Sequence, residues 1–149
     1  MIIPVRIMFK SKEKITSVNC KIFCNQIEYS YEVIDHGQHF DIYENKDLFF
    51  QSIDTVFDCN DTNDMAIVWP TKPEIDSEID DIEINYLYID KPKLFSKTSF
   101  YHVQTNTLID PPKEYGKDYW QSATWINNPG IFYLTFNLPI EQWCFTNDR

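Results

Sequence analysis

The chain of 149 residues carries a net charge of −10 at neutral pH, with 43% hydrophobic and 16% aromatic residues. That much apolar material excludes disorder, the length fits one domain spanning 1–149, and no apolar run reaches the roughly 18 residues of a membrane-spanning helix. So acidic a surface disfavours nucleic acid and anionic membranes as partners.

At the N-terminus apolar residues precede basic ones, the reverse of an export signal. The expectation is therefore a cytoplasmic protein with reduced thiols at Cys20, Cys24, Cys59 and Cys144. A first strand alternates Ile3, Val5, Ile7 and Phe9 against Pro4, Arg6, Met8 and Lys10. After a polar turn, a second sets Thr16, Val18, Cys20 and Ile22 on one face. The third alternates Ile27, Tyr29, Tyr31 and Val33 with Glu28, Ser30 and Glu32, the period of a half-buried antiparallel strand. Asp35 to Gln38 reads as a turn, followed by a short strand from Phe40 to Tyr43.

The period then changes. Asn45 is a suitable N-cap, and Phe49, Ile53, Val56 and Phe57 recur at helical spacing opposite Asp47, Gln51, Asp54 and Asp58. Residues 46–58 are therefore predicted to form an amphipathic helix with an acidic outer stripe. Strands follow at Met65 to Trp69, at 82–88 after an acidic, Pro-bounded loop, at 99–105, and at Ile131 to Leu138, which is apolar on both faces and hence central. Neither period wins over 113–128. Six or seven strands, mainly in an antiparallel sheet, with one amphipathic helix define an α+β fold; an all-β sandwich is the alternative.

The motifs that carry chemistry are weak. Cys20-x3-Cys24 followed by His36-x2-His39 has a zinc-like composition. In an extended segment, however, the two cysteines stand about 13 Å apart, too far to share a metal. A calcium loop begun at Asp58 has Asn63 where glycine is required and Trp69 where a bidentate glutamate is required. Three glycines build neither a nucleophile elbow nor a phosphate loop. No metal, cofactor or catalytic residue is assigned. A small enzyme pairing His36, His39 or His102 with a carboxylate is kept as an alternative.

Charge is the most specific signal. Residues 1–21 carry +4, residues 22–90 carry −15 and residues 91–149 carry +1. Six of the ten residues from Glu74 to Glu83 are acidic. Asp47, Asp54 and Asp58 of the expected helix, with Glu74, Asp76, Glu78, Asp80, Asp81 and Glu83, form the candidate partner-binding set. Their crowding is relieved by a basic counter-surface. The expected function is a non-enzymatic acidic protein that neutralises a basic protein partner, as a bacterial immunity protein does against a toxin such as a nuclease. A phage-encoded nucleic-acid mimic would use the same residues.

Overall fold

Ile3, Val5, Ile7 and Phe9 all point into the core from β1 (Ile2–Ser11), as their alternation requires. The computed structural model describes residues 1–89, 98–102, 125–126 and 129–145. β1 lies inside the first of two antiparallel sheets. It pairs on one side with β5 (Lys46–Asp58), which pairs in turn with the edge strand β4 (Glu32–Asp41). On its other side it pairs with β7 (Ser77–Ile84), which also holds β8 (Leu87–Ile89) and β10 (Trp125–Ile126).

The second sheet runs β3 (Ile27–Tyr29), β2 (Lys21–Cys24), β6 (Thr62–Trp69), β11 (Gly130–Asn137), β9 (Thr98–His102). Apolar residues of both sheets meet in one core: Ile53 and Phe57 of β5 and Ile79, Ile82 and Ile84 of β7 pack in the same cluster as Met65, Ile67, Phe132 and Phe136. A single short helix, α1 (Ile140–Phe145), adds Ile140 and Cys144 to that core. Among the described residues no helix is long and apolar enough to cross a membrane.

The expected α+β fold with a helix over 46–58 is corrected by this architecture. Those residues are the long central strand β5, paired with β1 from Ile2↔Asp58 to Ser11↔Phe49, and the two sheets together hold eleven strands among the described residues. The strand escapes a period-2 reading because two of its core-facing positions are polar. Gln51 and Thr55 are buried, and both are satisfied by loop backbone rather than by water. Gln51 Oε1 accepts from Ile15 N (2.9 Å) and its Nε2 donates to Ile15 O (2.8 Å), while Thr55 donates to Ser30 O (2.7 Å). With those positions read as polar, Phe49, Ile53 and Phe57 mimic an i, i+4 stripe. Tertiary hydrogen bonding overrides the pattern.

The expected turn at Asp35 to Gln38 is a bulge within β4, where Gly37 takes a φ of +86°. The expected strand over 82–88 is instead the hairpin β7–β8. Its two turn residues, Asn85 and Tyr86, have φ of 51° and 70°, the backbone of a type I′ turn. The ambiguous stretch 113–128 lies outside the described residues except for 125–126.

Candidate functional site

Because strands in register place directly opposed side chains on one face, pairing alone builds a transverse row across the outer face of the first sheet. Glu32 of β4 lies opposite Asp54 of β5, Asp54 opposite Arg6 of β1, and Arg6 opposite Glu83 of β7. One cation thus stands among three carboxylates at the strand spacing of about 4.8 Å. Arg6 commits itself to Asp54, with Nε to Oδ1 at 3.0 Å and Nη2 to Oδ2 at 2.8 Å. The hydrogen bond to Asp54 holds the guanidinium above its ordinary pKa against the opposing effect of burial. Burial works against ionisation of Asp54, but hydrogen bonds from Arg6 and Ser52 outweigh it and hold the carboxyl below the usual range. The row lies along a groove of about 610 Å³ whose walls include Tyr31, Val56 and Tyr86, the last 82% exposed at the hairpin tip.

A second cation sits farther along β1 on the same face. Lys10 is buried, yet its Nζ reaches Asp41 at 3.2 Å, Asp80 at 3.5 Å and Glu78 at 3.9 Å, with the exposed ring of Tyr43 at 5.5 Å. Burial alone lowers an ammonium pKa, but the bond to Asp41 and the charges of Asp80 and Glu78 hold it raised. Between the two cations, Asp81 lies opposite Met8 and is buried, with Oδ1 lacking a hydrogen-bond partner. Burial, then the charges of Asp80 and Glu83, push its pKa up to about 7. The face therefore sets Glu32, Asp41, Asp54, Glu78, Asp80, Asp81 and Glu83 against Arg6 and Lys10.

Of the acids singled out in the sequence, the structure brings Asp54, Glu78, Asp80, Asp81 and Glu83 onto this face. Asp47 and Asp58 are separated. They sit near opposite ends of β5, about 36 Å apart at the rise of a strand. The strand period also turns Asp47 and Gln51 away from Asp54 and Asp58, so the acidic helix stripe does not exist. Asp58 accepts from the N-terminal ammonium at 3.0 Å. Glu74 and Asp76 line a second cavity of about 430 Å³ that shares Glu78 and Lys10 with this face, and Glu74 accepts a hydrogen bond from Thr16. Sequence reading missed Glu32, Asp41, Arg6 and Lys10 as members. The alternation over 27–33 predicts one strand, which the structure divides between β3 of the second sheet and β4 of the first, with Glu32 opening β4; only strand pairing shows what it faces.

His36 and His39 do not build a nucleophilic triad. His36 Nε2 lies 2.8 Å from Ser52 Oγ, and Ser52 donates to Asp54 Oδ1 at 2.7 Å. The serine therefore stands between imidazole and carboxylate, accepts from His36 and is wholly buried. A Ser-His-Asp triad needs the histidine in the middle and the hydroxyl exposed. His39 Nε2 contacts His36 O at 2.7 Å on the surface; the side chain of His102 lies outside the described residues. Cys20 engages Tyr31, His36 engages Ser52 and His39 engages His36 O, so this set does not gather around one point. Among the described residues no group of three His, Cys, Asp or Glu is placed to hold a metal ion.

The chain matches no family model, no curated protein and no solved structure.

Proposed function

We propose that the chain is a non-enzymatic binding protein that neutralises a basic protein partner through the outer face of the β4-β5-β1-β7 sheet, in the manner of an immunity protein or antitoxin acting on a cationic toxin such as a nuclease. The observation that carries this reading is the row Glu32, Asp54, Arg6, Glu83, three carboxylates with one cation that is hydrogen-bonded to Asp54. Like charges directly opposite on neighbouring strands, as Glu32 and Asp54 are, destabilise a sheet by up to about 1 kcal/mol per pair. A lysine or arginine from a partner relieves that repulsion, and Tyr86 and Val56 offer apolar and aromatic contact beside it. Such a face steers a basic protein inward, so association is fast and salt-sensitive.

The test begins with capture of the partner on the immobilised chain at low salt, followed by affinity measurement on the purified pair. Glu32→Lys, Glu78→Lys and Glu83→Lys together are expected to weaken binding by well over tenfold while leaving the circular dichroism spectrum unchanged. An unchanged affinity removes this face as the interface, and capture of an acidic partner removes the reading itself.

A further inference from the structure

Two of the four cysteines meet. Cys24 ends β2, and Cys59 is the first residue beyond β5, at the corner where the chain leaves one sheet for the other. Both are buried in the shared core, both are free thiols, and each perturbs the ionisation of the other. One asparagine, Asn63, bonds the backbone that follows Cys59 and the side chain of Asn25 that follows Cys24. Asn63 Oδ1 accepts from Asn60 N at 2.7 Å and from Asn25 Nδ2 at 3.0 Å, and Asn63 Nδ2 donates to Asn60 O at 2.8 Å. Asn25 Oδ1 in turn accepts from Asp64 N at 3.0 Å. The neighbours of the two thiols therefore share an acceptor atom, which holds the pair together whatever the surface does. Cys20, by contrast, is engaged by Tyr31, whose hydroxyl also donates to Cys20 O at 2.8 Å.

We propose that Cys24 and Cys59 form an oxidative modification site, a reversible disulfide that joins β2 to the end of β5 and is made by exchange with a small disulfide such as oxidised glutathione. Cys59 is the attacking group. The neighbouring Cys24 thiol favours its thiolate, while Cys59 and burial keep Cys24 protonated. The Cys59 thiolate, its proton released to solvent, attacks one sulfur of the small disulfide, displaces the first thiolate and forms a mixed disulfide. Cys24 then loses its proton and attacks the Cys59 sulfur, displacing the second thiolate, and both leaving thiolates take up protons. Two protein thiols are oxidised by two electrons, and the small disulfide is reduced to two thiols.

Access needs only a local opening. Cys59 N donates to Met1 O at 2.7 Å, the terminal ammonium donates to Cys59 O at 3.2 Å, and Met1 itself is 73% exposed. A local opening of that corner frees Cys59 while the strand pairing of both sheets stays in place.

The experiment is incubation of the folded, reduced protein with oxidised glutathione, read by intact mass, peptide mapping and thermal unfolding. The expected product is lighter by two hydrogen atoms, retains no glutathione, and yields one cross-linked species joining the Cys24 and Cys59 peptides. Closing the loop of residues 25–58 raises the unfolding midpoint by several degrees, and dithiothreitol reverses the change. Cys20→Ser and Cys144→Ser leave the product unchanged, and Cys24→Ser leaves glutathione attached to Cys59. The proposal is overturned if the folded wild-type chain stays fully reduced, retains glutathione, or links a different pair; none of these readings depends on a variant folding.

Discussion

Arg6 and Asp54 meet edge to edge in the middle of a four-strand row, the guanidinium giving two parallel hydrogen bonds of 3.0 and 2.8 Å to one carboxylate. Glu32 lies on the far side of Asp54, and Glu83 on the far side of Arg6. The pair is only partly buried, so its value lies in geometry more than in raw attraction. Removing the cation leaves carboxylates facing one another across adjacent strands.

Arg6→Gln is therefore expected to lower unfolding stability at pH 7 by about 2 kcal/mol, the contribution of a lost charge-assisted, bidentate contact. Asp54 is held below its usual pKa, so this contribution is present above the unfolded-state value near 3.9 and fades as pH falls through the depressed folded value. Urea unfolding of wild type and variant between pH 3 and pH 7 measures it: the two curves converge in acid.

Lys10→Met should be more damaging. Asp41, Glu78 and Asp80 lose their shared ammonium, and Asp41 is itself buried. Stripping one partner from a buried ion cluster costs about 3 kcal/mol or more. Urea unfolding at pH 7 measures it: the midpoint is expected to fall further than that of Arg6→Gln.

Asp81 sets an opposite pH dependence. It ionises near 3.9 when unfolded but near 7 when folded, chiefly because of burial and then because of Asp80 and Glu83. Between those values the folded chain holds a proton that the unfolded chain has lost, so stability falls as pH rises from about 4 to about 7 and stays low above. Asp81→Asn removes that slope. The variant should match wild type near pH 4 and exceed it by roughly 1–3 kcal/mol at pH 8 in chemical denaturation.

Asn63→Ala tests the corner between the sheets. The side chain is fully buried and makes three hydrogen bonds to Asn60 and Asn25. Its loss leaves Asn60 N, Asn60 O and Asn25 Nδ2 without this partner and is expected to cost roughly 1–3 kcal/mol. Hydrogen exchange at Asn60 N should accelerate more than exchange in β1.

Much of the strand content was legible. β1 was visible because every second residue from Ile3 to Phe9 is apolar and each of those enters the core. β11 was read as central from its two apolar faces, and it is flanked by β6 and β9. β5 was not legible, because Gln51 and Thr55 point inward to loop carbonyls and amides that no local pattern reveals. The same error displaced the candidate site. Read as a helix, Asp47, Asp54 and Asp58 form a stripe; in a strand only Asp54 joins the acids of β7. Arg6 and Lys10 were assigned to a basic N-terminal segment, whereas sheet pairing places them between the acidic strands and compensates part of the charge.

The decisive question is where a cationic ligand touches the folded chain. Amide chemical shifts followed by NMR during titration with a short arginine- and lysine-rich peptide at low ionic strength answer that question. Changes are predicted to concentrate at Glu32, Asp54, Val56, Glu83 and Tyr86, to vanish at high salt, and to be lost in the Glu32→Lys, Glu78→Lys, Glu83→Lys variant. Shifts gathered instead at the Asp58, Asp61 and Asp64 corner, or spread evenly over every exposed carboxylate, would contradict it.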